Sequence, residues 1–236
     1  MAAVLERSKI KPAPESVTRE AAVFRVLDSL RPGECLRLGG VSWEDYEEFD
    51  RWRDELRPNL KMAYSDGELE FMTTSFEHDS TSRTLQNVLV MFAMAWSMPI
   101  RAAGSTTFRK KLKKKGIEPD ECFYIQHAAK VRGLKEIDLK IHPAPDLAIE
   151  MDRSNSSLPK LPIYAALGFP ELWRVEGDTV TFYSLKPTGE YAKSKASRAF
   201  PLVKSAELSR FFFGTDWADD TELMLAAREW AAALSK

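Results

Sequence analysis

The stretch that most restricts how this chain can fold is Pro145-Asp146-Leu147-Ala148-Ile149-Glu150-Met151-Asp152. It is a short apolar run that carries three carboxylates. Strand side chains alternate between faces, so Asp146, Ala148, Glu150 and Asp152 share one face while Leu147, Ile149 and Met151 share the other. Burying acids on so apolar a strand is costly unless a cation or hydrogen-bond donors meet them, which makes metal binding the first idea to test. At about 3.3 Å of rise per residue, Asp146 and Glu150 stand about 13 Å apart, too far to grip one ion, whereas Glu150 and Asp152, about 7 Å apart, could flank one. The remaining ligands must come from elsewhere in the chain.

With 236 residues the chain can form one large domain, or one domain with appendages, around a substantial core. Its 44% hydrophobic and 29% charged residues describe a soluble globular protein. The net charge is only -1, so binding to a polyanion has to rest on a local basic patch. Cys35 and Cys122 supply neither a disulfide framework nor zinc-ligand spacing. The start of the chain has no apolar signal segment, and the longest apolar run is shorter than a membrane span, so a cytoplasmic protein with no membrane contact is expected.

Taken in order, residues 1–16 read as a loose tail and Thr18 to Leu30 as a helix stopped by Pro32-Gly33. Ser42 and Asp45 have capping-box spacing ahead of a helix whose apolar stripe is Tyr46, Phe49 and Trp52. Asp66-Gly67 between two apolar runs predicts a tight hairpin, with Glu68 opening its second strand. Glu68 by itself reads more readily as a solvated hairpin residue than as a site acid. A long amphipathic helix is predicted from His78 to Trp96, with His78 in its first turn, where a histidine is more often a cap or surface residue.

A strand is predicted over 100–108. It leads into Arg109, Lys110, Lys111, Lys113, Lys114 and Lys115, a run that serves either as a solvated loop or as a phosphate-contacting patch. Pro119 to Ile125 repeats the Pro-Asp-then-apolar design of the Asp146 strand. Ser154 to Ser157 is turn chemistry, followed by a helix over 158–167 that Gly168 and Pro170 end. Strands over 171–175 and 179–185, a hairpin near Gly189, and helices over 206–213 and 221–234 complete the pattern. Phe211-Phe212-Phe213 reads as core packing before it reads as an interface.

The order helix, strand, strand, acidic strand, helix, strand resembles the PD-(D/E)XK nuclease fold. Within it, the wording is similar to the Uma-type restriction endonuclease family. The resemblance is carried by Asp66-Gly67-Glu68-Leu69, by His78, by Glu118 to Ile125, by Pro145 to Glu150, by Leu161 to Gly168 and by Pro170 to Arg174. It implies an α/β mixed-sheet core over 41–205, preceded by a tail and helix over 1–40 and followed by a helical appendage over 206–236, with the hairpin extending the sheet. It further implies a metal-dependent endonuclease acting on nucleic acid, DNA above RNA, and a possible homodimer. Asp120 and Glu150 are the expected ligands of Mg²⁺ or Mn²⁺, with Glu68 and Asp146 as further acids and His78 and Asp152 as accessory residues. The superfamily places a lysine two residues after the second acid, and this chain has Asp152 there; Lys160, on the following helix, is the expected replacement. A catalytically silent relative that binds nucleic acid or a partner is the alternative, and a hydrolase of another phosphate ester or a structural acidic cluster ranks below it.

Overall fold

A computed structural model describes residues 18–56, 60–104, 106–152 and 158–235; the expected tail and the turn at 154–157 lie outside them. The chain folds as a mixed α/β protein with two sheets. The first sheet is antiparallel throughout. It contains β1 (Cys35–Leu38), β2 (Leu60–Ser65), β3 (Glu68–Thr73), β5 (Phe108–Lys110) and β6 (Lys115–Ile117), in the order β1-β3-β2-β6-β5. The second runs β11-β10-β9-β8-β7-β4, from β4 (Arg101–Ala102), β7 (Glu121–Tyr124), β8 (Leu147–Met151), β9 (Glu171–Glu176), β10 (Thr179–Leu185) and β11 (Tyr191–Ser194). Only β8 and β9 pair parallel, and the connection between them contains the helix α4 (Lys160–Leu167), as a parallel pair demands.

Local chemistry accounts for the first sheet's shape. Asp66 and Gly67 both have positive φ, +50° and +95°, which lets β2 and β3 join through two residues. Ahead of α2 (Trp43–Leu56), Ser42 and Asp45 exchange side chain and backbone N–H in both directions, at 3.0 and 3.1 Å. That helix presses Trp43 and Tyr46 onto Tyr64, Leu69 and Phe71, together with Leu27 of α1 (Thr18–Ser29). Gly116 of β6 lies under the buried Tyr46 ring, and a Cβ there would overlap the Tyr46 hydroxyl. Tyr46 is also stacked on Tyr64, so it has little room to yield. Gly116→Ala is expected to lower stability by about 1–3 kcal/mol, read as an earlier urea midpoint; an unchanged midpoint would show that α2 can shift.

The second sheet holds the main core. Leu147, Ile149 and Met151 of β8 face α3 (Phe76–Ala95), whose Leu85, Val88, Leu89 and Phe92 are buried. Ala148 faces the other way, onto Ile163, Tyr164 and Leu167 of α4. The helices α5 (Ser205–Phe213) and α6 (Asp220–Leu234) pack Leu208, Phe212, Leu223, Ala227 and Ala231 into the α3 side of this core. Phe211 stacks on Trp230, so the Phe211-Phe212-Phe213 segment is used in packing. The segment 100–108 is not one strand. Arg101–Ala102 pairs with β7 while Phe108–Lys110 pairs with β6, the chain crossing between sheets past Gly104 at φ +57°. Among the described residues no helix is long and apolar enough to cross a membrane.

Candidate active site

β7 and β8 are antiparallel with Glu121 opposite Ile149, so one step beyond the paired residues Asp120, in the bend before β7, comes level with Glu150. Directly opposed residues share a face, with Cβ atoms about 5 Å apart. Both side chains are almost fully buried, Asp120 being 5% and Glu150 1% exposed. The backbone N–H of Met151 donates to Asp120 Oδ2 at 2.7 Å, which ties the two strands together at this point.

Four side chains from three other elements close on the acids, three of them as hydrogen-bond donors. Lys61, on β2 of the other sheet, donates to Asp120 Oδ1 at 2.5 Å and to the Pro119 carbonyl at 3.3 Å. His78, in the first turn of α3, brings Nε2 to 3.2 Å from Asp120 Oδ2; it is close enough for charge attraction but not aligned as a hydrogen bond. Lys160 and Tyr164, one turn apart on α4, donate to Glu150 Oε2 and Oε1 respectively. Glu70 of β3, also buried, accepts from the backbone N–H of Leu158 at 3.2 Å and adds its charge to the field at Lys160.

The electrostatics follow from this layout. Burial pushes the Asp120 carboxyl up, but Lys61, His78 and Lys160 outweigh it and hold the group well below the ordinary carboxylate range. At Glu150 burial prevails and its pKa is raised, even against Lys160 and Tyr164. Burial works against the Lys160 ammonium, yet Glu150 and Asp120 more than compensate and keep it protonated. His78 is raised in the same way, its burial overcome by Asp120 and Asp79. Glu121 points to the α3 face, where burial pushes it up to about 7 beside Arg83 and Gln86, so it is not part of this cluster.

The structure thus brings Asp120, Glu150, Lys160 and His78 together, and it separates the other expected site residues from them. Glu68 stands at the turn end of the hairpin, opposite Ser65 and paired with Arg37 at 2.9 Å. Ser65 lies four residues, about 13 Å, along β2 from Lys61. Asp146 lies at the far end of the β7–β8 pair, where it accepts from the Ile125 and His127 backbone N–H groups and contacts His127 Nδ1 at 2.6 Å. There it holds the turn after β7. The carboxylate of Asp152 is taken by Arg174 of β9. In the basic run, Arg109 pairs with Asp50, Lys110 donates to the Leu167 carbonyl, Lys111 pairs with Glu44 and Lys115 with Asp66. Of this run only the side chains of Lys113 and Lys114 make no hydrogen bond or ion pair among the described residues; the Lys114 backbone donates to the Lys111 carbonyl and accepts from the Asp66 N–H. Lys61, Glu70 and Tyr164 went unrecognised in the sequence, although Glu70 shares a strand face with Glu68 and Tyr164 sits four residues after Lys160.

Two opposed carboxylates on adjacent strands fit a hard divalent cation that retains several waters. Among the described residues no three His, Cys, Asp or Glu side chains cluster tightly enough to enclose a metal by themselves.

The Uma2 family, described as "Putative restriction endonuclease", matches residues 43–214. The chain belongs to the Uma2 family. The match spans α2 through α5 and so includes every residue of the acidic cluster, which lies inside the Uma2 region and not in an added segment. Among solved structures, a similar chain is described as "a putative nuclease belonging to DUF820" from Anabaena variabilis; it is 18% identical, with 70% of this chain and 90% of that chain covered and a TM-score of 0.42. Comparison with curated proteins finds no match.

Proposed function

We propose that this Uma2 protein is a divalent-metal-dependent endonuclease that hydrolyses DNA phosphodiester bonds, with Asp120 and Glu150 as the metal ligands. The observation that carries the reading is that two buried acids meet at one end of the β7–β8 pair, Asp120 in the bend before β7 accepting from the N–H of Met151 beside Glu150 on β8, with Lys160 in contact with Glu150. A bound Mg²⁺ or Mn²⁺ supplies charge stabilisation at the phosphate and lowers the pKa of a water. The chain's own groups do the rest. The Met151 N–H and His78 orient Asp120, and Tyr164 orients Glu150. Lys160 brings to Glu150 the positive charge that the superfamily pattern places two residues after the acid, offsetting negative charge that develops during hydrolysis. The side chains of Lys113 and Lys114, free of ion pairs among the described residues, are left to meet backbone phosphates in a salt-sensitive manner.

The test is conversion of supercoiled plasmid to open circular or linear form. It is expected to require Mg²⁺ or Mn²⁺ and to stop on adding EDTA. Cleavage that persists in EDTA contradicts the reading. The Asp152–Arg174 pair, standing where a lysine belongs, is the observation that favours a catalytically silent nucleic-acid binder; retention of DNA with no cleavage under any divalent ion identifies that case.

A further inference from the structure

We propose that Lys61 is a positioning residue of this centre, an internal counter-ion that holds Asp120 in the metal-free protein and is displaced when a divalent cation binds. The inference rests on the reading of Asp120 and Glu150 as metal ligands.

Charge balance is the first argument. The two carboxylates are matched by two ammonium groups, Lys61 on Asp120 and Lys160 on Glu150; of the remaining groups, the Glu70 carboxylate lies in the field of Lys160 and is offset by His78, facing Asp120, when the imidazole is protonated. Adding a dication to a nearly buried, balanced cluster places like charges within a few ångströms, where low dielectric makes repulsion large. One ammonium has to leave.

Geometry selects Lys61. Lys160 opens a helix, is held by Glu150 and lies in the field of Asp120 and Glu70. The two lysine side chains are equally exposed, 14% each, so the surrounding charge decides: Lys160 faces three acids, whereas Lys61 is held by one oxygen of Asp120 and one backbone carbonyl, and its flexible stem allows the head to swing outward. Asp120 is also prepared for the exchange. Its Oδ2 is fixed by the Met151 N–H and faced by His78, so Oδ1 alone changes partner, from Lys61 to the cation, and the carboxylate need not turn.

Titration of Mn²⁺ into the full chain, followed by electron paramagnetic resonance of the free ion, tests the exchange. Lys61→Gln, which keeps an amide donor toward Asp120 and Pro119, is expected to bind Mn²⁺ about ten-fold more tightly than wild type, because the competing charge is gone. Lys61→Arg should stay within about two-fold of wild type, and Glu150→Gln should lose binding. Mn²⁺ bound by Lys61→Gln but not by wild type also supports exchange. If wild type binds in a Glu150-dependent way and Lys61→Gln binds equally or more weakly, the displacement idea is overturned and the metal centre stands. If neither binds in a Glu150-dependent way, both are overturned. A second measurement needs no variant: Mn²⁺ should raise acetylation of Lys61 by acetic anhydride several-fold relative to Lys113, and an unchanged ratio contradicts the exchange.

Discussion

Glu150→Gln is expected to lower metal-dependent plasmid cleavage about a thousand-fold, equivalent to about 4 kcal/mol at the transition state, while the protein remains folded. The substitution keeps the volume and one acceptor for Tyr164 or Lys160 but removes the charge that, on the proposed reading, holds the ion. Lys160→Met should reduce cleavage by a similar order in the same assay, since among the described residues no other lysine or arginine contacts Glu150. Circular dichroism separates loss of chemistry from loss of fold. Wild-type cleavage rates in both variants would remove Glu150 and Lys160 from the reaction. In Lys160→Met an unpaired acid is left on a buried strand, so some loss of stability accompanies the loss of activity.

The largest stability effect is expected at a different carboxylate. Glu171 opens β9 and is fully buried; its Oε1 accepts from Trp173 Nε1 at 2.9 Å, and its Oε2 accepts from Ser197 Oγ, the Arg198 N–H and the Ala199 N–H at 3.1, 3.0 and 2.7 Å. Burial raises the carboxyl, and these four donors pull it back toward the ionised form. Among the described residues no lysine or arginine contacts it in the way Lys61 and Lys160 contact the cluster acids, so its role is to pin the 197–199 loop to the sheet. Glu171→Ala leaves four donors without an acceptor, three of them on the buried residues Trp173, Ser197 and Ala199, and is expected to cost about 3–5 kcal/mol in urea denaturation. A loss below about 1 kcal/mol would show that water or a shifted loop satisfies those donors.

What the sequence revealed followed the range of the interactions concerned. The Asp66-Gly67 turn, the Ser42–Asp45 cap and the two-faced β8 strand were legible because each rests on contacts within a few residues. The pairing of Asp120 with Glu150 was legible only through the family resemblance, since nothing local sets the register of β7 against β8. The split of 100–108 between two sheets was not legible, because an extended segment carries no mark of which sheet it joins. The basic run looked available to a partner because its acids, Asp50, Glu44 and Asp66, lie 49 to 67 residues away. Glu68 and Glu70 obey the same alternation, and only the tertiary fold decides that Glu70 is the buried one. Lys61 had no signal at all, as its partner is 59 residues on.

In the proposed reaction a dication sits between two acids that meet at one end of the β7–β8 pair. Anomalous diffraction from a crystal soaked in Mn²⁺ addresses this directly. A manganese peak within coordination distance of both Asp120 and Glu150, about 2.2 Å from a carboxylate oxygen of each, is the predicted result. A well-diffracting soak that shows no peak there, or manganese bound only at Glu68, Asp146 or Asp152, would contradict it.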